Sequence, residues 1–327
     1  MTEIELSLTG SHARAETTIQ ATQDWERGRV DSASLSAAFR EDCDELVDLQ
    51  RKAGADYISD GQLTTAWQDF LRPITNGFGG LKKGAMVRWY NTNTFYYTPI
   101  VEGEISSDGQ AIWKKLEHRF VKGGKLRVAV PDPLTFAELA EDRHYGEGEH
   151  KLLFAYAEAL NAEVRTLEKK GVSYVQFSSP ALVARFRKKP LSEEGLERLG
   201  EAIKVAKKGT SIRTGFHTYF GDASAYIPQI FDLIPTDDIG FDFTQTDADS
   251  LTPTTKGIIA GVSDARTTYL EGVEELRDHV QTIIDRTGSR RVTLAPSADL
   301  RYIPRVSADE KLRRLGALKQ ELTEGGS

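Results

Sequence analysis

Short apolar runs alternate with amphipathic stretches along most of the chain. The apolar runs are rich in Val, Ile, Phe and Tyr, which is typical of strands. The stretches between them place apolar residues at the spacing of one helix face. The predicted strands are 4–9, 56–59, 126–130, 174–177, 211–217, 239–243, 257–262 and 292–295. The predicted helices are 34–53, 64–71, 149–169, 192–207, 223–233, 270–286 and 308–322, with Ser192 as a helix N-cap.

This alternation gives eight strands, each followed by a crossover segment. Such a pattern favours a parallel sheet of the α/β class, and eight units favour a closed (β/α)8 TIM barrel over an open sheet. No G-x-G-x-x-G follows a predicted strand, which argues against a dinucleotide-binding fold. We expect a single barrel over residues 1–324 and a disordered tail at 325–327.

Residues 77–124 break the rhythm after the second unit. This region is rich in Gly and aromatic residues and predicts an inserted hairpin or lid. Long insertions in barrels often lie over the active face and contribute to function.

Composition narrows the class of protein. The net charge is −7 over 327 residues, and the densest basic run, 187–189, is short enough to be a solvated loop, so no nucleic-acid partner is expected. Cys43 is the single cysteine, which excludes a disulfide within the chain and argues against a thiolate zinc site. Without a cationic leader or an apolar run of about 20 residues, we expect a soluble, cytoplasmic protein with no membrane partner.

Polar residues gather where the predicted strands end, which is where a TIM barrel carries its site. Several have a structural alternative: Asp222 as a helix N-cap, Asp264 and Arg266 as an ion pair, and His217 as a core histidine. Polar groups at all eight ends nevertheless indicate a small-molecule site. The strand-end residues are Ser11, His12, Arg14, Asp60, Gln62, Asp132, Ser178, Ser179, His217, Tyr219, Asp222, Asp242, Thr244, Asp264, Arg266, Ser297 and Asp299.

Five motifs resemble those of the cobalamin-independent methionine synthase family, in that family's order. Residues 89–97 (WYNTNTFYY) resemble its W-F-D-T-N-Y-H-Y segment, and 218–222 (TYFGD) match its T-Y-F-G-D. Residues 261–266 (GVSDAR) resemble G-V-V-D-x-R, and 294–300 (LAPSADL) resemble L-x-P-S-C-S-L. Residues 10–11 fit the G-S that closes the first strand. The resemblance covers nearly the whole chain.

The resemblance implies a TIM barrel and methyl transfer from a methylated folate to homocysteine, in methionine biosynthesis. Full-length members of the family contain two related barrels. The C-terminal barrel holds zinc, and the N-terminal barrel, which this chain resembles more, has lost it.

The family's zinc ligands are largely replaced here. They are H-x-C after the fifth strand, a Glu after the sixth and a Cys after the eighth. His217 is kept, whereas Tyr219 replaces the first Cys, Asp242 stands near the Glu, and Ala298 replaces the second Cys. Because zinc sites use at least three protein ligands, we predict that no zinc binds here.

The amino-acid pocket of the family is changed as well. The family's D-E-P-A-L after the fourth strand reads SSPAL here, with Ser178 first, and its D-G-E after the second strand reads DGQ, ending in Gln62. An ammonium group would meet less opposite charge, so homocysteine binding is also in question.

Three functions remain open on this evidence. The first is a zinc-free partner of a separate zinc-bearing methionine synthase barrel, binding methyl-tetrahydrofolate or a related pterin against 89–97 and Tyr219; these aromatics could instead be lid packing. The second is a repurposed, metal-independent acid/base enzyme of the lyase or transferase type. The third is a non-catalytic scaffold, against which the polar strand ends argue.

We predict a site with two sets of residues. The catalytic set is His217, Tyr219, Asp242, Asp264 and Arg266, with Arg266 able to hold a substrate carboxylate. The substrate-binding set is Ser11, Arg14, Gln62, Trp89, Asn91, Asn93, Ser178, Asp222 and Asp299, with Trp89, Asn91 and Asn93 on the lid.

Overall fold

The structure is a computed structural model that describes residues 2–66, 70–117, 124–146, 149–184 and 190–324. Its strands are β1 (Glu3–Leu6), β2 (Tyr57–Ile58), β3 (Gly79–Arg88), β4 (Phe95–Ser106), β5 (Lys125–Pro131), β6 (Glu141–Asp142), β7 (Tyr174–Ser178), β8 (Arg213–His217), β9 (Asp238–Asp242), β10 (Gly257–Ser263) and β11 (Arg291–Pro296). Its α-helices are α1 (Glu16–Glu26), α2 (Ser32–Lys52), α3 (Leu63–Ala66), α4 (Arg72–Gly77), α5 (Pro133–Leu139), α6 (Glu149–Lys169), α7 (Pro180–Val183), α8 (Glu193–Ala206), α9 (Gln229–Leu233), α10 (Val273–Thr287) and α11 (Arg305–Glu324).

Eight of these strands form one parallel sheet in the order β1-β11-β10-β9-β8-β7-β5-β2. A parallel bridge between Ser7 and Tyr57 joins its two outer strands and closes the sheet. Helices follow the strands around the outside, so the predicted TIM barrel is confirmed. Parallel strands bring all their C-terminal ends to one face, which we call the mouth of the barrel.

Most predicted elements are present, with boundary shifts of a few residues. Helix 149–169 matches α6, and the Ser192 side chain accepts a hydrogen bond from the Gly195 amide at 3.2 Å as the N-cap of α8. The prediction of one helix over 223–233 is wrong: a 3-10 helix, Ser224–Tyr226, precedes α9. Pro228 separates the two because it has no N–H to continue a helix.

Two further differences lie in the N-terminal part of the chain. Of the predicted helix 64–71, residues 64–66 belong to α3, 67–69 lie outside the described residues, and Phe70 and Leu71 form a turn before α4. Helix α1 was missed because its pattern is weak, with only Thr18 and Thr22 buried.

The predicted insertion contains a hairpin. Strands β3 and β4 pair antiparallel, and β6 adds a short parallel strand beside β4. The hairpin tip, residues 89–94, is directed towards the mouth of the barrel, where Trp89 packs in one cluster with Ala129 of β5. The predicted basic run at 187–189 and the tail at 325–327 lie outside the described residues.

The opposite end of the barrel is closed by a buried ionic network, which we call the floor network. The Arg213 guanidinium donates to both oxygens of Glu5 at 2.8 Å and to both oxygens of Asp238 at 2.8 and 3.1 Å. Arg291 donates to Asp238 at 2.8 Å, and the Tyr174 hydroxyl donates to Asp238 at 2.9 Å. Burial acts to raise the pKa of Asp238, but the two guanidiniums outweigh it and hold that pKa below its usual value.

Among the described residues, no helix combines the length and the apolar character needed to cross a membrane.

Candidate functional site

The ring of His217 lies inside the mouth, at the end of β8. It packs against the ring of Tyr219, with centroids 5.6 Å apart and an interplanar angle of 51°. Gly240 of β9 leaves room for the imidazole, because a Cβ at that position would lie 2.7 Å from Cδ2 of His217. The ring contact brings these two predicted site residues together, and both are buried.

Burial controls the protonation of this pair. It lowers the pKa of His217 to about 3, with the Arg127 guanidinium adding to the effect and the Phe241 backbone weakly opposing it. Burial also raises the pKa of Tyr219 well above its ordinary value. At neutral pH the imidazole and the phenol are therefore both uncharged. Neither ring nitrogen of His217 has a well-formed hydrogen bond to a described residue.

The ends of β9 and β10 form a polar chain from inside the mouth to its rim. Asp242 accepts hydrogen bonds from the Thr244 hydroxyl at 2.6 Å and from the Phe220 amide at 3.3 Å. Burial raises the pKa of Asp242, partly offset by Thr244 and by the charge of Arg266. Arg266 reaches Thr244 and Asp264, each at 3.4 Å, and its side chain is 32% exposed. These long contacts leave the guanidinium able to bind an external carboxylate.

A buried ion pair is hydrogen-bonded to the residues at the end of β10. Lys311 of α11 is fully buried, and its ammonium group donates to both carboxylate oxygens of Glu271 at 2.9 Å. Glu271 in turn accepts from the Asp264 amide at 2.7 Å and from the Ser263 hydroxyl at 3.0 Å. Sequence reasoning missed both residues, because a lysine in an amphipathic helix is normally exposed and nothing in the pattern marks this one.

The first and eighth barrel strands meet at Asp299. Its carboxylate accepts from the Ser11 amide at 2.6 Å and from the Tyr302 hydroxyl at 3.0 Å. Gly10 permits this approach, since a Cβ there would lie 2.0 Å from Oδ1 of Asp299. Burial raises the pKa of Asp299. Ser11 and Asp299, both predicted site residues, are thus direct neighbours.

The remaining predicted substrate-binding residues are dispersed. Gln62 donates to the Ala129 carbonyl at 3.1 Å, and the Ser178 hydroxyl accepts from Gln176 at 2.9 Å, both inside the barrel. Asn91 and Asn93 are exposed on the hairpin tip. The exposed Asp222 accepts from the Ser224 amide at 2.8 Å in a local turn, and the N-cap of the 3-10 helix that follows is Ala223, so Asp222 is not the predicted helix N-cap.

Four aromatic side chains cover the mouth, and we call them the aromatic plug: Trp89, Tyr90, Phe220 and Tyr302. Ring centroids are 4.9 Å apart for Trp89–Tyr90, 5.8 Å for Tyr90–Phe220 and 5.6 Å for Phe220–Tyr302. Trp89 is only 1% exposed. The predicted lid tryptophan therefore lies within the cover and offers no open stacking face.

An open groove of about 780 Å³ runs beside the plug, and we call it the hairpin groove. One wall is the hairpin, where the Lys83 ammonium lies 3.5 Å from the centroid of Tyr97, and Phe95 is 43% exposed. The other wall includes Arg14 after β1 and Arg301 in the 3-10 helix after β11. The lining also includes Arg305, which pairs with Asp42 and Asp309, and the acidic Glu16 and Glu26. Four cationic side chains against two acidic ones, with exposed aromatic surface, fit a ligand that carries carboxylates.

The residues at the strand ends do not fit a zinc ion. Ala298 offers no donor atom, and both oxygens of Asp242 already accept hydrogen bonds from Thr244 and Phe220. Within the described ranges, no three His, Cys, Asp or Glu residues lie close enough together to hold a metal. The one cysteine, Cys43, is buried in α2 beside the Asp60 carbonyl.

Comparisons with known proteins agree on one family. Residues 64–288 match the model of the family described as "Cobalamin-independent synthase, N-terminal domain". The chain is 22% identical over 319 residues to a methionine synthase from Sulfolobus acidocaldarius, covering 95% of this chain and 90% of that protein. It is 27% identical over 281 residues to a 5-methyltetrahydropteroyltriglutamate–homocysteine methyltransferase from Bacillus subtilis, covering 77% of this chain but 35% of that longer protein.

A solved structure supports the same fold. The barrel resembles a B12-independent methionine synthase from Shewanella sp. W3-18-1, solved with selenomethionine, with a TM-score of 0.72 and 18% identity. The similarity covers 98% of both chains.

Proposed function

Because this chain belongs to the cobalamin-independent methionine synthase family, we propose that it takes part in methyl transfer from a methyl-tetrahydrofolate to a thiol such as homocysteine. Its role in that reaction is to bind the folate without zinc. A separate zinc-bearing barrel of the same family then supplies the metal that activates the thiol.

The hairpin groove is the observation that carries this proposal. The Bacillus relative is named for a pteroyltriglutamate substrate, whose tail bears several carboxylates. Arg14, Lys83 and Arg301 line the groove and, with Arg305, outnumber its two acidic residues, so its net charge complements that tail. The exposed ring of Phe95 adds an apolar surface for the aromatic part of the ligand.

The side chains at the strand ends support the proposal that folate and zinc bind to two different barrels. Thiolate ligands suit zinc, and Tyr219 and Ala298 stand where the resemblance places two of them. The partner barrel is therefore proposed to hold both zinc and homocysteine.

The alternative, a metal-independent acid/base enzyme, has less support. Burial lowers the pKa of His217 to about 3 and raises that of Tyr219 well above its ordinary value. Efficient proton transfer needs a pKa near the working pH, which neither group has.

Calorimetric titration tests the proposal. We expect methyl-tetrahydropteroyltriglutamate to bind, the monoglutamate form to bind more weakly, and homocysteine alone not to bind. Elemental analysis of the same sample should find no stoichiometric zinc. Methyl transfer should then appear when a zinc-bearing barrel of the family is added. Absence of folate binding, or zinc together with homocysteine binding, would refute the zinc-free partner role.

A further inference from the structure

We propose that the aromatic plug is displaceable and that the pterin ring of the folate takes its place at the mouth. This inference rests on the proposed function, since it assumes that a methyl-folate binds in the hairpin groove. On opening, Asp299 exchanges the Tyr302 hydroxyl for an N–H donor of the ring.

The groove and the plug share two segments of the chain. Phe95 in the groove wall closely follows Trp89 and Tyr90 in the chain, and Arg301 immediately precedes Tyr302. A folate whose tail carboxylates bind Arg14, Lys83 and Arg301 therefore has its ring end beside the plug. All four plug residues lie outside the barrel strands, so the hairpin tip with Trp89 and Tyr90, and the 3-10 helix with Tyr302, can move without disturbing one.

The plug is held in strained backbone. Tyr90 has a φ of 47° and Phe220 has a φ of 74°, in the left-handed region that side chains larger than glycine rarely adopt. Strain of this kind persists only where surrounding contacts enforce it, and it is typical of ligand clamps and switch regions. Some of the enforcing contacts are between the plug rings themselves, with Tyr90 and Tyr302 on either side of Phe220. Phe220 also packs against Tyr219, with ring centroids 4.7 Å apart.

The hydroxyl of Tyr302 links the plug to the buried carboxylate of Asp299. The Tyr302 hydroxyl donates to Oδ2 of Asp299 at 3.0 Å, while Oδ1 is held by the Ser11 amide. If Tyr302 moves away, Oδ2 loses this donor and is left as a buried acceptor. An amino-substituted pterin ring offers N–H donors that satisfy such a carboxylate.

Two buried residues near the plug carry polar atoms without a well-formed hydrogen bond to a described residue. These atoms are the Ser11 hydroxyl and both ring nitrogens of His217. Buried polar groups are normally paired, so such a set indicates a place where a ligand or water belongs. The closed plug leaves these atoms unsatisfied, whereas an inserted ring edge can reach them.

Fluorescence of Trp89 tests the displacement. We expect methyl-tetrahydropteroyltriglutamate to change the emission of the wild-type protein and its quenching by acrylamide, and Trp89→Phe to abolish that change. The tail alone, tri-γ-glutamate, should bind without it, because it has no ring to displace the plug. If the folate binds and Trp89 does not respond, the plug stays closed and this inference fails. If neither folate nor tail binds, the proposed function itself fails.

Two substitutions with opposite expected signs separate a plug from ordinary packing. Tyr302→Phe keeps the ring but removes the hydrogen bond to Asp299, so the folate should bind about threefold to tenfold more tightly. Asp299→Asn weakens the acceptor for the ring and should lower the affinity by a similar factor. Binding of tri-γ-glutamate should be unchanged in both. Tyr269→Phe, at a tyrosine that is 63% exposed, is the matched control.

Equal weakening by Tyr302→Phe and Asp299→Asn would show that both residues only support the fold. No change in either variant would place the ring outside the mouth. Thermal melts of each variant check that the compared samples are folded.

Discussion

His217 and Tyr219 face each other with ring centroids 5.6 Å apart, two residues apart in the chain at the end of one barrel strand. The family resemblance places a zinc-binding thiolate at the position of Tyr219. In this structure the imidazole of His217 contacts a phenol ring at that position. At the positions that the resemblance gives to the zinc ligands, the described residues offer one imidazole and one carboxylate, which is fewer than the three protein ligands that zinc sites use.

Restoring the missing donors should restore metal binding. We expect Tyr219→Cys combined with Ala298→Cys to bind about one zinc ion per chain, because two thiolates then join His217. Elemental analysis after dialysis measures this. The same pair of substitutions with His217→Ala is the control and should bind zinc much more weakly. Failure of the double variant to bind zinc would mean that these side chains do not converge.

The hairpin groove can be tested with adjacent lysines. Lys83 lines the groove beside Tyr97, whereas Lys82 pairs with Glu102 and does not line it. We expect Lys83→Met to weaken binding of the triglutamyl folate by about fivefold, the effect of about 1 kcal/mol, and to reduce its salt dependence. Lys82→Met should leave both unchanged. Equal effects from the two variants would indicate a general charge effect and no site at the groove.

The contributions of two helix N-cap residues to the free energy of unfolding should change with pH in opposite directions. Burial raises the pKa of Asp132, which caps α5, to about 6, although Thr135 and Ser179 oppose it. The folded state then binds more protons than the unfolded state between pH 4 and 6, so stability from this group falls as the pH rises through that range. Asp132→Asn keeps the cap and should be more stable than wild type at pH 7 by at most about 3 kcal/mol, with little difference at pH 4.

Asp31, the exposed cap of α2, is the control for that experiment. A hydrogen bond from the Ser34 amide lowers its pKa, so its contribution is present above the unfolded pKa and is lost as the pH falls. Asp31→Asn should therefore cost stability at pH 7 and less at pH 3. Urea unfolding at several pH values measures both variants. Parallel pH dependences for the two would contradict the assignment.

The floor network should dominate the stability of the barrel. Arg213→Met leaves Glu5 and Asp238 without their shared cation, and we expect a loss of about 3–5 kcal/mol. Arg198→Met removes an exposed pair with Glu194 and should cost less than about 1 kcal/mol. Denaturant unfolding compares them. A small effect at Arg213 would mean that water or other groups replace it at low cost.

The sequence allowed the barrel to be predicted because its signals are local and repeated. Strand and helix periodicities recur along the chain, and the Ser192 cap is visible three residues from its partner. Helix 223–233 was misread because Pro228 was given too little weight against an apolar helical pattern.

The candidate site was less predictable, because its geometry depends on residues far apart in the chain. Strand order alone brought Ser11 to Asp299 and His217 to Gly240 in the neighbouring strand, as parallel topology requires. Burial of Trp89 and the inward position of Lys311 depend on how the hairpin and α11 pack, which no local pattern encodes. The hairpin groove was also missed, since its cations come from three separated segments.

The floor network lies at the N-terminal ends of the strands, whereas the candidate chemistry lies at the other end. Folding and function therefore draw on largely different residues of the same barrel. In proteins of this architecture, metal-ligating residues at the mouth can be substituted one at a time while Arg213, Glu5 and Asp238 keep the fold intact. Loss of a metal centre is then an accessible evolutionary step, because selection for folding does not oppose it.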